Sequence, residues 1–178
     1  MRNPLLILLI FFYSLVVSSQ ETNLSDQFKT LANDLESKYT DRPGIKVAIL
    51  EFRTSDNKIV PFSNVCSQEM ADNLRNSMNF KLMDSNVYAA IAKEKPWSND
   101  AANSYEYMDD LGRIFMEKTG DVPVAYIYGI ITDNNQSITI TAYLVSLGAS
   151  EAKSVATINI DATEKTDSLL GKTNNYSK

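Results

Sequence analysis

Three short strings in the sequence contain the residue types needed for serine-dependent acyl transfer. They are Ser-x-x-Lys at residues 55–58, Ser-x-Asn at 77–79 and Lys-Thr-Gly at 118–120, in the order typical of β-lactamases and penicillin-binding proteins. That chemistry needs the serine at the start of a buried helix and the Lys-Thr-Gly string on a strand beside it. Here the local pattern predicts a loop around Ser55 and a helix end at Lys118, which argues against a serine hydrolase.

The other residues that could carry chemistry are few. The chain has no histidine and a single cysteine, Cys66, so sites built on Ser-His-Asp, on Cys-His or on Cys and His around zinc are excluded. Cys66 is expected to be buried on a helix. A carboxylate-dependent hydrolase would have to use Glu69, Asp84 or Asp109, and we rank it last of three hypotheses. We therefore predict no catalytic residue, no metal and no cofactor, hence a protein that is not an enzyme.

Hydrophobic periodicity predicts the elements that would position these residues. It indicates a helix, a strand, a second helix, a short strand, two further helices and then three strands joined by tight turns. The predicted strands span residues 45–52, 80–83, 122–132, 137–147 and 153–161. This order predicts an α/β fold, in which helices pack against a mixed sheet of about five strands that ends in a three-strand meander.

Polar residues before the apolar stripes predict where the helices begin. Ser25 is expected to cap the first helix, residue 63 or 64 the second, and Asp84 the third. The apolar stripe of the second helix is expected to extend to Met78, and the fourth helix is expected to direct Tyr105 toward the core.

The first twenty residues indicate export. Arg2 precedes an apolar block, Leu5 to Val17, that only Ser14 interrupts. The block is short for a membrane span, and the small residues after it predict cleavage behind Ser19. An uncleaved membrane anchor is the alternative. Cys66 lies far from this position, so we do not expect a lipoprotein of the bacterial kind.

The predicted organisation has four parts. A signal peptide at 1–19 precedes an N-terminal helix at 20–43, an α/β domain at 44–161 and a polar disordered tail at 162–178. After cleavage, we expect no direct membrane span. The formal net charge of -5 is unfavourable for binding nucleic acid, which rewards clustered lysine and arginine. A protein partner is therefore more consistent with the composition.

Several strings, taken in order, resemble a known family. They are KVAILEF at 46–52, SQEMADNL at 67–74, the strand leading into Asp84, AYIYG at 125–129 and the strand at 138–145. The series resembles the FlgO-like family of exported outer-membrane and flagellar proteins, whose relatives are the curli secretion protein CsgG, the penicillin-binding-protein activator LpoB and the TolB amino-terminal domain. The resemblance implies an accessory protein of the cell envelope, and no catalytic residues carry over from it.

Two functional hypotheses follow. The first is an exported, non-enzymatic accessory protein, in the periplasm or at the outer membrane, that binds another component of the flagellar, secretion or wall-synthesis machinery. The alternative is a periplasmic small-ligand binding domain, with Arg53 and Asp84 as candidate contacts at the carboxyl ends of the first two strands. In addition, an exposed sheet edge offers pairing with another chain, which predicts an envelope protein partner or a homo-oligomer.

Overall fold

The computed structural model describes residues 23–147, 149 and 151–172. The predicted signal peptide at 1–19 and the last part of the predicted tail, 173–178, lie outside the described residues. The same holds for residues 20–22 of the predicted N-terminal segment.

Five α-helices, one 3-10 helix and five strands make up the described chain. In chain order they are α1 (Leu24–Ser37), β1 (Ile45–Thr54), α2 (Pro61–Leu74), β2 (Phe80–Leu82), α3 (Ser85–Glu94), the 3-10 helix (Asn99–Asn103), α4 (Tyr105–Thr119), β3 (Ala125–Asp133), β4 (Ser137–Ser146), β5 (Ala152–Asp161) and α5 (Glu164–Leu169). Up to β5, this is the order that the hydrophobic periodicity predicts.

The five strands form one mixed sheet in the order β2-β1-β3-β4-β5. β1 runs parallel to β2 and to β3, whereas β3, β4 and β5 form an antiparallel meander. The predicted α/β fold is therefore confirmed. β3, whose two faces are both apolar, lies at the centre of the sheet.

Helices cover the sheet on two sides. On one side α1 and α2 direct a continuous apolar stripe onto the strands, with members such as Phe28, Leu35 and Met70 fully buried. On the other side α3, the 3-10 helix and α4 pack their apolar side chains, including Trp97 and Phe115, onto β1 and β3. Burial of both faces explains why β1 and β3 are almost continuously apolar.

The helix starts differ from the prediction at two of three places. Asn23, not Ser25, caps α1, because its carboxamide oxygen accepts from the Ser25 amide at 3.2 Å. α2 begins two residues before Ser63, since Pro61 suits the first turn of a helix, where no amide donor is needed. Asp84 caps α3 as predicted, accepting from the Asn86 amide at 2.8 Å.

Two side chains predicted to face the core lie in solvent. α2 ends at Leu74, so Met78 falls in the following turn and is 87% exposed. Tyr105 stands at the first position of α4 and is 61% exposed, before the buried stripe of that helix begins. Both errors come from extending an apolar stripe beyond the residues that form the helix.

The segment after β5 is ordered where the sequence predicted a loose tail. Thr163 and Thr166 cap α5 reciprocally, with the Thr163 amide donating to the Thr166 hydroxyl at 2.8 Å and the Thr166 amide donating back at 3.2 Å. Thr166 and Asp167 are buried despite their polarity. Paired polar side chains therefore dock this segment, which corrects the prediction for residues 163–172.

None of the helices in the described ranges is both long enough and apolar enough to cross a bilayer.

Candidate functional site

A β-bulge interrupts the pairing of β1 with β3 near the carboxyl end of β1. From Ile49 to Phe52 the chain of β1 advances three residues, while the paired segment of β3 advances two, from Ile127 to Gly129. The extra residue changes the alternation of the strand, as bulges do. As a result, Glu51 and Arg53 interact on the side of the sheet that α3 and α4 cover.

Arg53, a predicted contact residue, is committed to partners within the chain. Its Nη2 lies 2.6 Å from Oε2 of Glu51, and its Nε donates to the same oxygen at 3.0 Å. Nη1 donates to the carbonyl oxygen of Asn57 at 3.0 Å, which holds the turn after β1. The Arg53 side chain is only 13% exposed. Its evident role is therefore to position the turn, and only a small part of it remains accessible to a ligand.

A row of aromatic rings continues from this ion pair toward the outer strands. Trp97 lies 5.6 Å from the Tyr107 ring centroid and 4.9 Å from that of Tyr128, which stacks on Tyr143 at 4.9 Å. The ammonium group of Lys95 lies 4.7 Å from the centroid of Tyr107. These contacts fix the loop between α3 and α4 over the end of the sheet.

Two tyrosines of this row, Tyr107 and Tyr128, remain protonated at neutral pH. Burial raises the pKa of Tyr107 to about 12, with the negative charge of Glu51 acting in the same direction. Burial also raises the pKa of Tyr128 to about 12, and Tyr143 adds to the effect. Tyr107 and Tyr128 therefore do not exchange protons in the physiological range, and their rings contribute to packing around Trp97.

Asp84, the second predicted contact residue, lies apart from Arg53. β2 is short, and its last residue, Leu82, pairs with Val47, so Asp84 is level with Ile49. Arg53 lies four residues further along β1, roughly 13 Å at the usual rise of a strand. The Asp84 carboxylate also caps α3. The structure therefore does not bring the two predicted residues into one site.

A crevice of about 220 Å³ opens at the carboxyl ends of β1 and β3. These strands are neighbours in the sheet; after β1 the chain continues into α2, which packs on one face, whereas after β3 it turns directly into β4. Nine residues line it: Thr54, Ser55, Asp56, Lys58, Val60, Ile131, Asp133, Leu170 and Lys172. The predicted ligand site at strand ends thus has a counterpart, but at β1 and β3 rather than at β1 and β2.

Charged groups at the crevice are mutually paired. Lys172 lies 2.7 Å from the carboxylate of Asp133 and 2.9 Å from that of Asp167. Burial alone would raise the pKa of Asp133, but the hydrogen bond from Lys172 and one from the Asn135 amide bring it below its ordinary value. The hydrogen bond to Asp133 raises the pKa of Lys172 in turn. No local pattern relates Lys172 to Asp133, so the sequence alone did not indicate this cluster.

The side of β4 and β5 away from α1 forms a second surface, which we call the open face. Its six members are half-buried or exposed: Thr139, Thr141, Tyr143, Val155, Thr157 and Asn159. Cross-strand hydrogen bonds order it, with 2.7 Å between the hydroxyl of Thr139 and the amide oxygen of Asn159 and 3.1 Å between the hydroxyls of Thr141 and Thr157. The alternation of apolar and polar residues along β4 predicted this wetter face.

The acyl-transfer strings do not assemble into a site. Ser55 follows β1, and its amide donates to the Ile131 carbonyl oxygen at 2.9 Å, at the carboxyl end of the sheet. Ser77 precedes β2 at the amino end and donates to Glu36 of α1 at 2.7 Å. Lys118 lies in the last turn of α4 and forms an ion pair with Glu94 of α3. The fold therefore keeps the three strings apart.

The remaining chemistry-bearing residues are also separated. Cys66 is buried in α2, and burial raises the pKa of its thiol, which disfavours the reactive thiolate. Glu69 lies on α2 and Asp109 on α4, so the sheet stands between these carboxylates. In residues 23–147, 149 and 151–172 no three metal-ligating side chains lie close enough to hold an ion.

Comparison of the fold with solved structures identifies similar domains. The carboxyl-terminal domain of LpoB from Salmonella enterica is 11% identical, with a TM-score of 0.56 over 79% of this chain and 99% of that one. LpoB from Escherichia coli is 10% identical, with a TM-score of 0.57 over 76% of this chain and 68% of that one. A lipoprotein from Neisseria meningitidis is 12% identical, with a TM-score of 0.50 over 74% and 86%.

Sequence comparison adds no closer relative, because no family model and no curated protein matches the chain. The FlgO-like assignment itself therefore stays a prediction. At these identities the similarity concerns the fold, and what it establishes is that the chain has an LpoB-like fold of a kind found in envelope proteins.

Proposed function

We propose that this protein is an exported accessory protein of the cell envelope that acts by binding another envelope protein. The observation that carries the proposal is the LpoB-like fold, which extends over nearly the whole of the LpoB carboxyl-terminal domain. The family resemblance implies an accessory protein that works through contact with a partner and carries no catalytic residues of its own. The separation of the acyl-transfer strings and of the acidic side chains is consistent with a non-enzymatic role.

The open face is the surface that best suits such a partner. The half-buried ring of Tyr143 lies beside the exposed side chain of Val155 at one end of this face, and the polar pairs Thr141–Thr157 and Thr139–Asn159 continue from it. Partner-binding surfaces commonly combine an aromatic anchor with polar groups around it. The stack of Tyr143 on Tyr128 holds the aromatic ring in place before any partner arrives.

The location that accompanies this proposal is the periplasm or the outer membrane. The single cysteine, Cys66, is buried within α2, which supports export without a lipid on that residue. Flagellar, secretion and wall-synthesis components are the candidate partners, and the FlgO-like resemblance supports the first two of these. The identity of the partner is an outcome of the experiment below.

Recovery of a partner from envelope extracts tests the proposal. We expect the tagged protein to retain one envelope protein other than itself after cross-linking in its native host, with identification by mass spectrometry. Tyr143→Glu should reduce this recovery at least tenfold, because it replaces the aromatic residue of the open face with a charge. Tyr105→Glu is the matched control, since Tyr105 is exposed on α4, and it should leave recovery unchanged.

Circular dichroism of both variants separates lost binding from lost folding. The proposal fails if no envelope protein is recovered reproducibly from the wild-type sample. Equal losses in the two folded variants would contradict the assignment of the open face while leaving partner binding itself in place.

A second candidate function, small-ligand binding, is favoured by the crevice at β1 and β3. At about 220 Å³ it is smaller than most drug-sized pockets, so its ligand would be a molecule of few atoms. Its rim carries both carboxylates and ammonium groups, from Asp56, Lys58, Asp133 and Lys172. A zwitterion such as a free amino acid matches this arrangement of charges.

Thermal unfolding with a panel of free amino acids tests this second candidate. A ligand present at a hundred times its dissociation constant should raise the melting temperature by several degrees, in the range of about 5–10 °C. The shift should disappear in Lys58→Met, which removes one ammonium group from the rim, and persist in Asp84→Asn, which lies outside the crevice. No shift with any amino acid, or an equal shift in both variants, would count against the crevice as a ligand site.

A further inference from the structure

The free edge of β5 presents a regular row of backbone groups. β5 pairs with β4 on one side, and the amide of Ala162, just past its end, donates to Gln136 at 3.0 Å. Lys38 donates from the other side to the carbonyl oxygen of Val155 at 2.9 Å. Because the backbone groups of a strand alternate in direction, the amides and carbonyls of the odd-numbered residues from Val155 to Asp161 point away from β4, and a bulge at Lys153 ends this regular part of the edge.

This edge has few of the features that usually protect sheet edges. β5 is ten residues long and contains no proline, whereas the opposite edge strand, β2, has only three residues. Its exposed side chains include the β-branched Val155 and Thr157, which favour strand pairing. Lys38 covers one carbonyl only, and it also holds Asp34 at 2.7 Å, so it can release Val155 without losing its ion pair.

The sequence of β5 is complementary to itself in the antiparallel direction. If two copies pair with Thr157 opposite Thr157, each Val155 lies opposite Asn159, and each Lys153, which lies in the bulge and 3.8 Å from Asp41 of its own chain, comes beside Asp161 of the second copy. These side chains all belong to the exposed set of the strand. Shifting this register by two residues along the strand would break the opposition of unlike charges, so the charges select one register.

We infer that two copies of this chain associate through antiparallel pairing of their β5 strands, centred on Thr157. Three opposed pairs, formed by Val155, Thr157 and Asn159 of each strand, would exchange about six backbone hydrogen bonds, two for each pair. The two five-stranded sheets would then form one continuous sheet of ten strands. The open faces of both copies would lie side by side on it, so the inference adds to the proposed function without depending on it.

Charge reversal with rescue tests the register. Sedimentation velocity of the purified protein should show a concentration-dependent dimer. Lys153→Asp and Asp161→Lys should each raise the dimer dissociation constant about tenfold, because each places like charges opposite one another in both symmetry-related pairs. The double variant Lys153→Asp/Asp161→Lys should return the constant to within about threefold of the wild-type value, since it restores unlike pairs. Lys29→Asp, an exposed reversal on α1, is the charge-matched control and should leave the constant unchanged.

A proline at the centre tests the backbone pairing. Thr157→Pro removes an amide that faces away from β4, so the fold should persist, as checked by circular dichroism, while dimerisation is lost. The inference would be overturned if the wild-type protein stays monomeric up to about 1 mM, because this concentration is far above the dissociation constants of specific dimers. Failure of the double reversal to restore a dimer would overturn it as well. If the wild type is monomeric and Thr157→Pro no longer binds a different protein that the wild type binds, the β5 edge is the binding site for that protein instead.

Discussion

Replacing Gly129 with alanine is expected to lower the free energy of unfolding by about 3 kcal/mol. A Cβ atom on Gly129 would lie 2.0 Å from Cδ1 of Phe52, far inside van der Waals contact. The Phe52 ring is fully buried and packs edge-on against Phe28 of α1 at a centroid distance of 6.5 Å. It cannot move aside without displacing α1 from the sheet. Urea denaturation followed by far-UV circular dichroism measures the loss.

We expect the contact with Phe52, rather than the change to alanine as such, to cause the loss of stability in Gly129→Ala. Gly112→Ala introduces the same methyl group in α4, where the nearest atoms, at 3.2 Å, belong to the end of the Leu147 side chain. That variant should change stability by less than about 1 kcal/mol, because the clash is slight and alanine favours a helix. In Gly129→Ala/Phe52→Leu, the smaller side chain should recover about 1–2 kcal/mol relative to the sum of the single changes. Additive losses would show that the Phe52 contact is not the cause.

The parts of the fold that follow from local pattern were accessible from sequence. β1 and β3 are apolar on both faces, whereas apolar and polar residues alternate along β4, so the burial of β1 and β3 on two sides and of β4 on one could be inferred before any contact was known. The cap at Asp84 and the stop at Gly120, whose φ of +69° places it in the left-handed region, have equally local causes. Such features depend on neighbours within a few residues, which a single sequence displays.

The features that a single sequence did not indicate depend on distant contacts. The bulge in β1 becomes visible only when that strand is aligned with β3. α5 was predicted as a loose tail because its residues are polar, yet Asp167 and Lys172 are held in place by pairing with each other and with Asp133. The sequence separation between these partners hides the interaction. For the same reason, the crevice that they help to form was not predicted.

The predicted ligand site depends both on local pattern and on distant contacts. The rule that α/β sheets bind ligands beyond the carboxyl ends of their strands directed the prediction to that end of the sheet, and the ligand site itself stays a prediction. The strand order decides which strand ends are adjacent. At its carboxyl end β1 has β3 as a neighbour, whereas β2 pairs only with the first residues of β1. Arg53 therefore lies near the crevice, at the residue before Thr54, whereas Asp84 serves only α3.

Trp97 carries the other large expected effect. It is the only tryptophan of the chain, is 1% exposed, and connects the loop after α3 to Tyr107 and Tyr128. Trp97→Ala should lower the free energy of unfolding by about 3–5 kcal/mol, as large-to-small changes of buried aromatic residues do. The loss should be measured by urea denaturation with circular dichroism, because the variant lacks the fluorescent group.

Trp97→Phe should behave differently, and the reason lies in the indole nitrogen. Within the described part of the chain, Nε1 of Trp97 is buried and has no hydrogen-bond partner. A buried donor in that state opposes folding, so phenylalanine removes an unfavourable group while retaining most of the ring contacts with Tyr107 and Tyr128. We expect a loss of about 1 kcal/mol, well below that of the alanine variant. Equal losses in the two variants would contradict this account and would mean that the indole nitrogen contributes favourably to the fold.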